Sequence, residues 1–444
     1  MGDSSKQSLI LLIPIDKKAQ ATMRLVVTCE YRFSLATDGS VWTKTSYGYP
    51  FWERYLSAFE SVRVVARAKY DPHIDSAYRV VTGPSVDFWE LPYYLGPEQF
   101  LLRRTGIRRS LLSALAEPDA LLCRVGSALA DELLPTCWQT KRPYGLEVVG
   151  DPHEAMGPGT IRHLLRPLFR ARAARSLREQ CSRAVAVAYV TRESLQRRYP
   201  CPAHSVGISD VGHLDFSHTP KVFTTNYSSV YCDDTDFVGQ ARQFQSPEQP
   251  RILFVGSLAQ RYKGLDVLLK ATKRLLSEIT PEVVVVGDGK HRCELEKLAD
   301  NLGISNHVQF LGELPSGRPI RDQLDRATLF VMPSRAEGLP RAMIEAMTRA
   351  LPCIGSRVGG IPELLDNHDL VDPEDVVGLA AKIKQVVTDP QRLSEMSRRN
   401  LDRAQEYRPE VLDNRRTEFY RFLRQANERW QVAKTLEKTR SAIA

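Results

Sequence analysis

The stretch 329–360, LFVMPSRAEGLPRAMIEAMTRALPCIGSRVGG, constrains the fold of this 444-residue chain more than any other. Four apolar residues, 329–332, run into a turn of small residues and then into a helical pattern opened by Pro340. A strand entering a helix in this way is a βα unit, and such units assemble around a mostly parallel sheet. The turn also offers unpaired backbone N–H groups, the geometry that receives an anion. Gly338 permits close backbone approach, and Pro340 suits the first helical position, where its missing N–H would be unpaired anyway. Two carboxylates flank this start: Glu337 in the loop and Glu345 one to two turns into the helix. A carboxylate in the loop meets hydroxyls, and one on the helix accepts two hydrogen bonds from a vicinal diol. On spacing alone, both glutamates also fit the solvated ends of a surface helix.

A second unit lies upstream. The apolar run RILFVG (251–256) leads into SLAQRYKG, after which Leu265, Leu268, Leu269 and Leu276 recur at helical spacing. Lys263 sits in that turn as a flexible point charge able to reach a phosphate, and Arg261 offers a planar fork beside it; a plain solvated lysine is the competing reading. The first half alternates too, with apolar runs at 24–29, 62–67, 120–125, 145–150 and 184–190, so a second mostly parallel sheet is expected.

Residues 251 to about 407 resemble the nucleotide-binding domain of the retaining glycosyltransferases with two Rossmann-like domains, the GT-B architecture, family 4 (glycosyl transferases group 1). The resemblance rests on VGSLAQRYKG (255–264), VVVVGDGK (283–290), VQFLGEL (308–314), the 329–347 segment and VGGIPELL (358–365), in that order. It implies donor-sugar contact for Glu337, ribose contact for Glu345 and diphosphate contact for Lys263. The amides near Gly338 and Leu339 and the Gly287 turn would complete the donor site. Ser257 stands where the family often has an arginine, and Arg261 is the candidate replacement. The architecture implies an α/β chain with two domains facing across a cleft: an extension at 1–22, an acceptor domain at 23–245, a donor domain at 246–408, and a helix from 409 crossing back to the first domain. The boundary falls in the polar stretch 238–250.

On the acceptor side the signals are thinner. Gly39, in the loop after the first strand, is the candidate glycine near the donor phosphate. Asp151 follows a strand in PYGLEVVGDP (143–152), where an open α/β sheet presents residues to its crevice. It is the catalytic candidate, with His153 second and an ordinary Asp-Pro turn as the alternative. Asp234 and Asp236 form a D-x-D, but outside any donor strand, and no metal is expected there. The resemblance implies transfer from a UDP-, GDP- or ADP-sugar, with no cofactor, to a saccharide or lipid-linked saccharide in polysaccharide or glycolipid assembly. A nucleotide-sugar epimerase and a silent nucleotide-sugar-binding subunit remain alternatives.

Composition narrows the setting. At 43% hydrophobic and 26% charged residues this is a folded globular chain, too long for one ordinary core. The apolar run 9–15 is far short of a bilayer span and lacks a secretory signal's pattern. Eight cysteines without CxxC or metal spacing fit reduced core thiols and a cytoplasmic protein. The net charge is +8, with arginines crowded at 103, 104, 108 and 109 and at 162, 166, 170, 172, 175, 178 and 183, interleaved with leucines. Such segments are either solvated helices packed on a sheet or contacts to the anionic inner face of a membrane. Nucleic acid is not expected, because no binding module or aromatic stacking pattern accompanies the charge.

Overall fold

The computed structural model describes residues 22–116, 119–155, 166–201, 222–230, 232–245 and 248–443. The sheet of the first half has nine strands: β1 Arg24–Leu35, β2 Val41–Thr43, β3 Ser61–Tyr70, β4 Arg79–Val80, β5 Val86–Leu91, β6 Ala120–Val125, β7 Gly145–Val148, β8 Ala186–Tyr189 and β9 Phe223–Asn226. Its parallel body runs β5-β3-β1-β6-β7-β8-β9, while β2 and β4 add a small antiparallel extension off the far end of β1. The second sheet has six strands, all parallel: β10 Arg251–Val255, β11 Glu282–Val286, β12 Val308–Gly312, β13 Leu329–Met332, β14 Cys353–Ser356 and β15 Leu370–Val371. In the order β12-β11-β10-β13-β14-β15 the chain reverses direction between β10 and β13, and the crevice beyond the strand ends at such a point is where open α/β sheets hold ligands.

Composition explains why these strands are central. β11 reads EVVVV, and its last four residues are buried because helices cover both faces of the sheet. Beneath β10 and β13, Leu265, Leu268 and Leu269 of the helix Leu265–Leu275 are buried as their spacing predicts. Cysteines belong to the same packing: seven of the eight are buried and Cys293 is exposed. No helix among the described residues is long and apolar enough to cross a membrane.

A helix from Pro409 to Ile443 closes the molecule, longer than the core span it needs. It leaves the second sheet's side and packs against β6, β8 and β9 of the first. Phe419, Tyr420 and Leu423 are fully buried there. Gly145 opens β7 under this helix because a Cβ would lie 2.8 Å from Leu423 Cδ2. At the centre of the contact Glu147 accepts hydrogen bonds from the hydroxyls of Tyr55 (3.1 Å) and Tyr227 (2.9 Å) and pairs with Arg124, with the Tyr420 hydroxyl at 3.5 Å. Burial opposes its charge, but Arg124 and Arg54 prevail and hold the carboxyl below its ordinary range.

Several expectations change. β1 runs to Leu35, well past the expected 24–29, because a bulge between Thr28 and Arg32 lets it keep pairing with β3. β5 and β9 were not expected: VDFWEL carries two acids, and β9 is only four residues long. Pro340 is the N-cap of the helix Arg341–Thr348, in extended conformation, not its first helical residue. The 1–22 extension and Arg162 lie outside the described residues, apart from residue 22.

Candidate functional site

Two turns at the ends of β10 and β13 build the site. The first winds through a single 3-10 turn, Arg261–Lys263, and reaches its helix at Gly264, whose φ is +74°. Only glycine fits, since a Cβ there would lie 1.9 Å from the Pro333 carbonyl oxygen of the second turn. This approach brings the two charged residues together. Lys263 Nζ donates to Glu337 Oε1 at 2.6 Å, and the Ser334 hydroxyl donates to the same oxygen at 2.8 Å. Both side chains are largely covered, at 16% and 7% exposure, so the pair is far less screened than a surface salt bridge.

A third loop, the VGG segment 358–360, lies over Glu337. Gly359 has φ +52° and passes so close that a Cβ would sit 1.8 Å from the Glu337 carbonyl oxygen. The Gly360 N–H donates to the Gly338 carbonyl at 2.7 Å. Gly338 in turn meets the first sheet, where a Cβ would be 3.2 Å from the Val149 carbonyl oxygen beyond β7. Leu339 packs against the cores of both halves. One turn into the helix, Glu345 is half-buried, and its carboxylate has no hydrogen-bond or ion-pair partner among the described residues. Burial pushes this carboxyl up, Arg341 opposes the shift and Asp236 adds to it.

Other candidates are engaged elsewhere. Arg261, the candidate fork for a phosphate beside Lys263, forms an ion pair with Glu294. Ser257 Oγ accepts from the Ala259 N–H at 3.2 Å. Gly287, at φ +138°, is glycine because a Cβ would lie 2.0 Å from the Gly256 carbonyl oxygen; it fits one loop against another. Gly39 lies on the exposed hairpin turn between β1 and β2, where the Ala36 N–H bonds the Ser40 carbonyl, because β1 carries the chain beyond the strand end assumed from its sequence. The buried carboxylate of Asp151 accepts from the Tyr199 hydroxyl at 2.5 Å and the His153 N–H at 2.8 Å, and pairs with Arg198. That fully occupied group is a strut at the end of β7 in this structure. The Arg170 guanidinium donates to His153 Nδ1 at 3.0 Å, and burial together with Arg170 and Arg198 lowers the imidazole's pKa. Asp234 pairs with Arg408 at 3.0 Å and Asp236 with Arg321, so both carboxylates of the D-x-D are spent on arginines.

Three residues at the site carried no signal in the sequence. Arg335 links the two turns by hydrogen bonds to Asp266 and to backbone carbonyls. Glu154 shares Arg198 with Asp151; burial and Asp151 push its carboxyl up against the pull of Arg198 and the Glu337 amide. Glu363, beyond the VGG segment, accepts backbone N–H groups of Arg192, Glu193 and Ser194 at 2.5, 3.1 and 2.7 Å, tying the second half to the first. An arginine between a serine and a glutamate is unremarkable in a list of residues, and a carboxylate that bridges halves is invisible before they are folded.

Comparison with known proteins follows the same lines. Residues 240–403 match the family model described as glycosyl transferases group 1. Protein CapJ of Staphylococcus aureus is 26% identical across 78% of this chain and 82% of its own length. The lipopolysaccharide core biosynthesis glycosyltransferase LpsE of Rhizobium meliloti is 30% identical, but the match spans 45% of this chain and 58% of that protein. The crystal structure of Anabaena HepE in complex with UDP and glucose superposes with a TM-score of 0.59 at 14% identity, covering 94% of this chain and all of that one. The chain therefore carries a glycosyl transferases group 1 domain over residues 240–403 within the two-domain GT-B fold of glycosyltransferases.

Proposed function

We propose that this protein moves a sugar from a nucleoside-diphosphate sugar to an acceptor hydroxyl with retention at the anomeric carbon, in polysaccharide or glycolipid assembly. The observation that carries the reading is the meeting of Lys263 and Glu337 at 2.6 Å beside Gly338, where the second domain touches the strand ends of the first. Glu345, whose carboxylate has no partner among the described residues, is the group for the ribose diol. In the reaction the anomeric C–O bond to the diphosphate breaks and the leaving group keeps the electron pair. Lys263 and the amides of the Gly338 turn neutralise that charge, the kind of fixed electrostatic help that contributes most to such steps. Glu337 orients the sugar through its hydroxyls. The acceptor oxygen bonds the anomeric carbon on the same face, and its proton passes to a departing phosphate oxygen. Asp151, bound on three sides, is not offered as a nucleophile, and neither metal nor cofactor is part of the scheme because lysine carries the charge.

The donor nucleotide is one of UDP, GDP or ADP, with HepE's UDP complex favouring the first. A saccharide or lipid-linked saccharide is the acceptor, and peripheral contact with an anionic membrane belongs to the same reading. The helices Gly96–Ala114 and Arg166–Arg183 both pack on the helix Ala128–Gln139, so the two arginine clusters share one side of the first sheet. On the same helices as those arginines, Leu101, Leu102 and Leu168 are exposed.

Thermal-shift measurement against the three diphosphates and their common sugars identifies the donor, and proton NMR of the glycosylated product reads the anomeric configuration. A retained configuration supports the proposal, and an inverted one removes its mechanism. Conversion of the donor to another sugar nucleotide without any acceptor would make the protein an epimerase instead.

A further inference from the structure

We infer that Arg335 is a positioning residue for Lys263, bracing the turn that carries the lysine against the loop that carries Glu337. The inference rests on the reading of Lys263 as the group that meets the donor diphosphate. A lysine ends four flexible bonds, so its charge is preorganised only if its backbone is fixed and its head is held. The head is held by Glu337. Arg335 fixes the backbone.

Its contacts fall around Lys263 in the chain. The Arg335 N–H donates to the Tyr262 carbonyl at 2.6 Å, and its Nη1 donates to the Arg261 carbonyl at 2.6 Å. The two terminal nitrogens then grip Asp266, in the first turn of the following helix, at 2.8 Å each. Glu374 takes the remaining side of the guanidinium, with Nη2 at 3.0 Å from its Oε2. The residue just before Lys263 is thus tied to the backbone of Arg335, and the second before it and the third after it to its side chain, which is 12% exposed. Gly264 closes the bracket by lying against the Pro333 carbonyl. Arg335 makes no hydrogen bond to the side chain of Lys263 or Glu337 among the described residues, so it acts through the turn. The five donors of a guanidinium satisfy one backbone carbonyl and two carboxylates at once, which an ammonium cannot do. The helix below keeps its own core through Leu265, Leu268 and Leu269, so loosening the turn does not require losing the domain.

A double-mutant cycle tests this. Affinity for whichever of UDP, GDP and ADP binds the wild-type protein is measured by calorimetry in Arg335→Gln, Lys263→Ala and the double variant, with melting temperature alongside. The expected result is a loss of about tenfold in Arg335→Gln that disappears in the Lys263→Ala background, since the two residues act as one unit. The corresponding nucleoside, which has no phosphate, should show no such loss. Equal losses with and without Lys263 would overturn the inference and make Arg335 a general brace. If Arg335→Gln does not fold, Asp266→Asn, which leaves both carbonyl contacts of Arg335 in place, should give the same Lys263-dependent loss at smaller size, and its absence overturns the inference too. Failure of the wild-type protein to bind any of the three diphosphates is a different result: it removes the underlying reading of the site.

Discussion

Glu337 and Lys263 satisfy one another at 2.6 Å, and a diphosphate that takes the lysine has to compete with that carboxylate. Glu337→Gln removes the competing charge and should tighten nucleoside-diphosphate binding by on the order of fivefold while turnover falls, because the donor sugar loses a charged acceptor for its hydroxyls. Calorimetry and initial rates on the same preparation read both; weaker binding would mean that the glutamate helps to hold the nucleotide. Glu345 makes a different prediction. Burial raises its pKa, so the folded protein binds that proton more tightly than the unfolded chain does. Its ionised form therefore weighs against the fold at neutral pH, and the burden lifts as pH falls through the raised value. Glu345→Gln should melt above the wild type at neutral pH, with the gap closing under acid conditions, and should bind the nucleotide less well. A melting temperature unchanged at every pH would show that the carboxylate is better solvated than its position implies.

At the scale of elements, the site is three loops pressed together, and glycines set the spacing. Gly359→Ala places a Cβ where the Glu337 carbonyl oxygen lies 1.8 Å away, on a backbone at φ +52° that costs an L-residue about 1–2 kcal/mol. The 337–338 loop has to move, so kcat should drop by about 100-fold with only a modest loss of melting temperature; an unaffected rate would show that the Glu337 loop tolerates displacement. This level also marks what was legible beforehand. Strands β6, β10 and β13 stand close to where their apolar runs put them, and Glu337, Gly338 and Glu345 fall on the loop and helix expected, because a βα unit is a local pattern. The Asp151 expectation rested on position alone, and Tyr199 and Arg198, dozens of residues away, took its oxygens. Gly39 failed for a related reason: whether β1 stops at residue 29 or continues depends on its pairing with β3, which the run of β1 does not contain.

Across the whole molecule, the domains meet through Gly338, Leu339 and the carboxylate of Glu363 on three backbone amides of the first domain. Hydrogen bonds to a charged group of this kind contribute roughly 1.5–3 kcal/mol. Glu363→Ala should let the cleft open, seen as a larger radius of gyration in small-angle scattering and a higher KM for the donor, with the melting of each domain preserved. Scattering identical to the wild type would assign closure to the apolar contacts instead. The helix from Pro409 binds the two halves in another way, since Tyr420 reaches Glu147 across 273 residues of chain. A chain made from its first residue onward thus has its first sheet complete, yet with Phe419, Tyr420 and Leu423 still to arrive, for as long as the entire second domain is being synthesised. During that interval the side of β8 and β9 that this helix will cover is bare, and the half of the protein translated first is the half that finishes folding last.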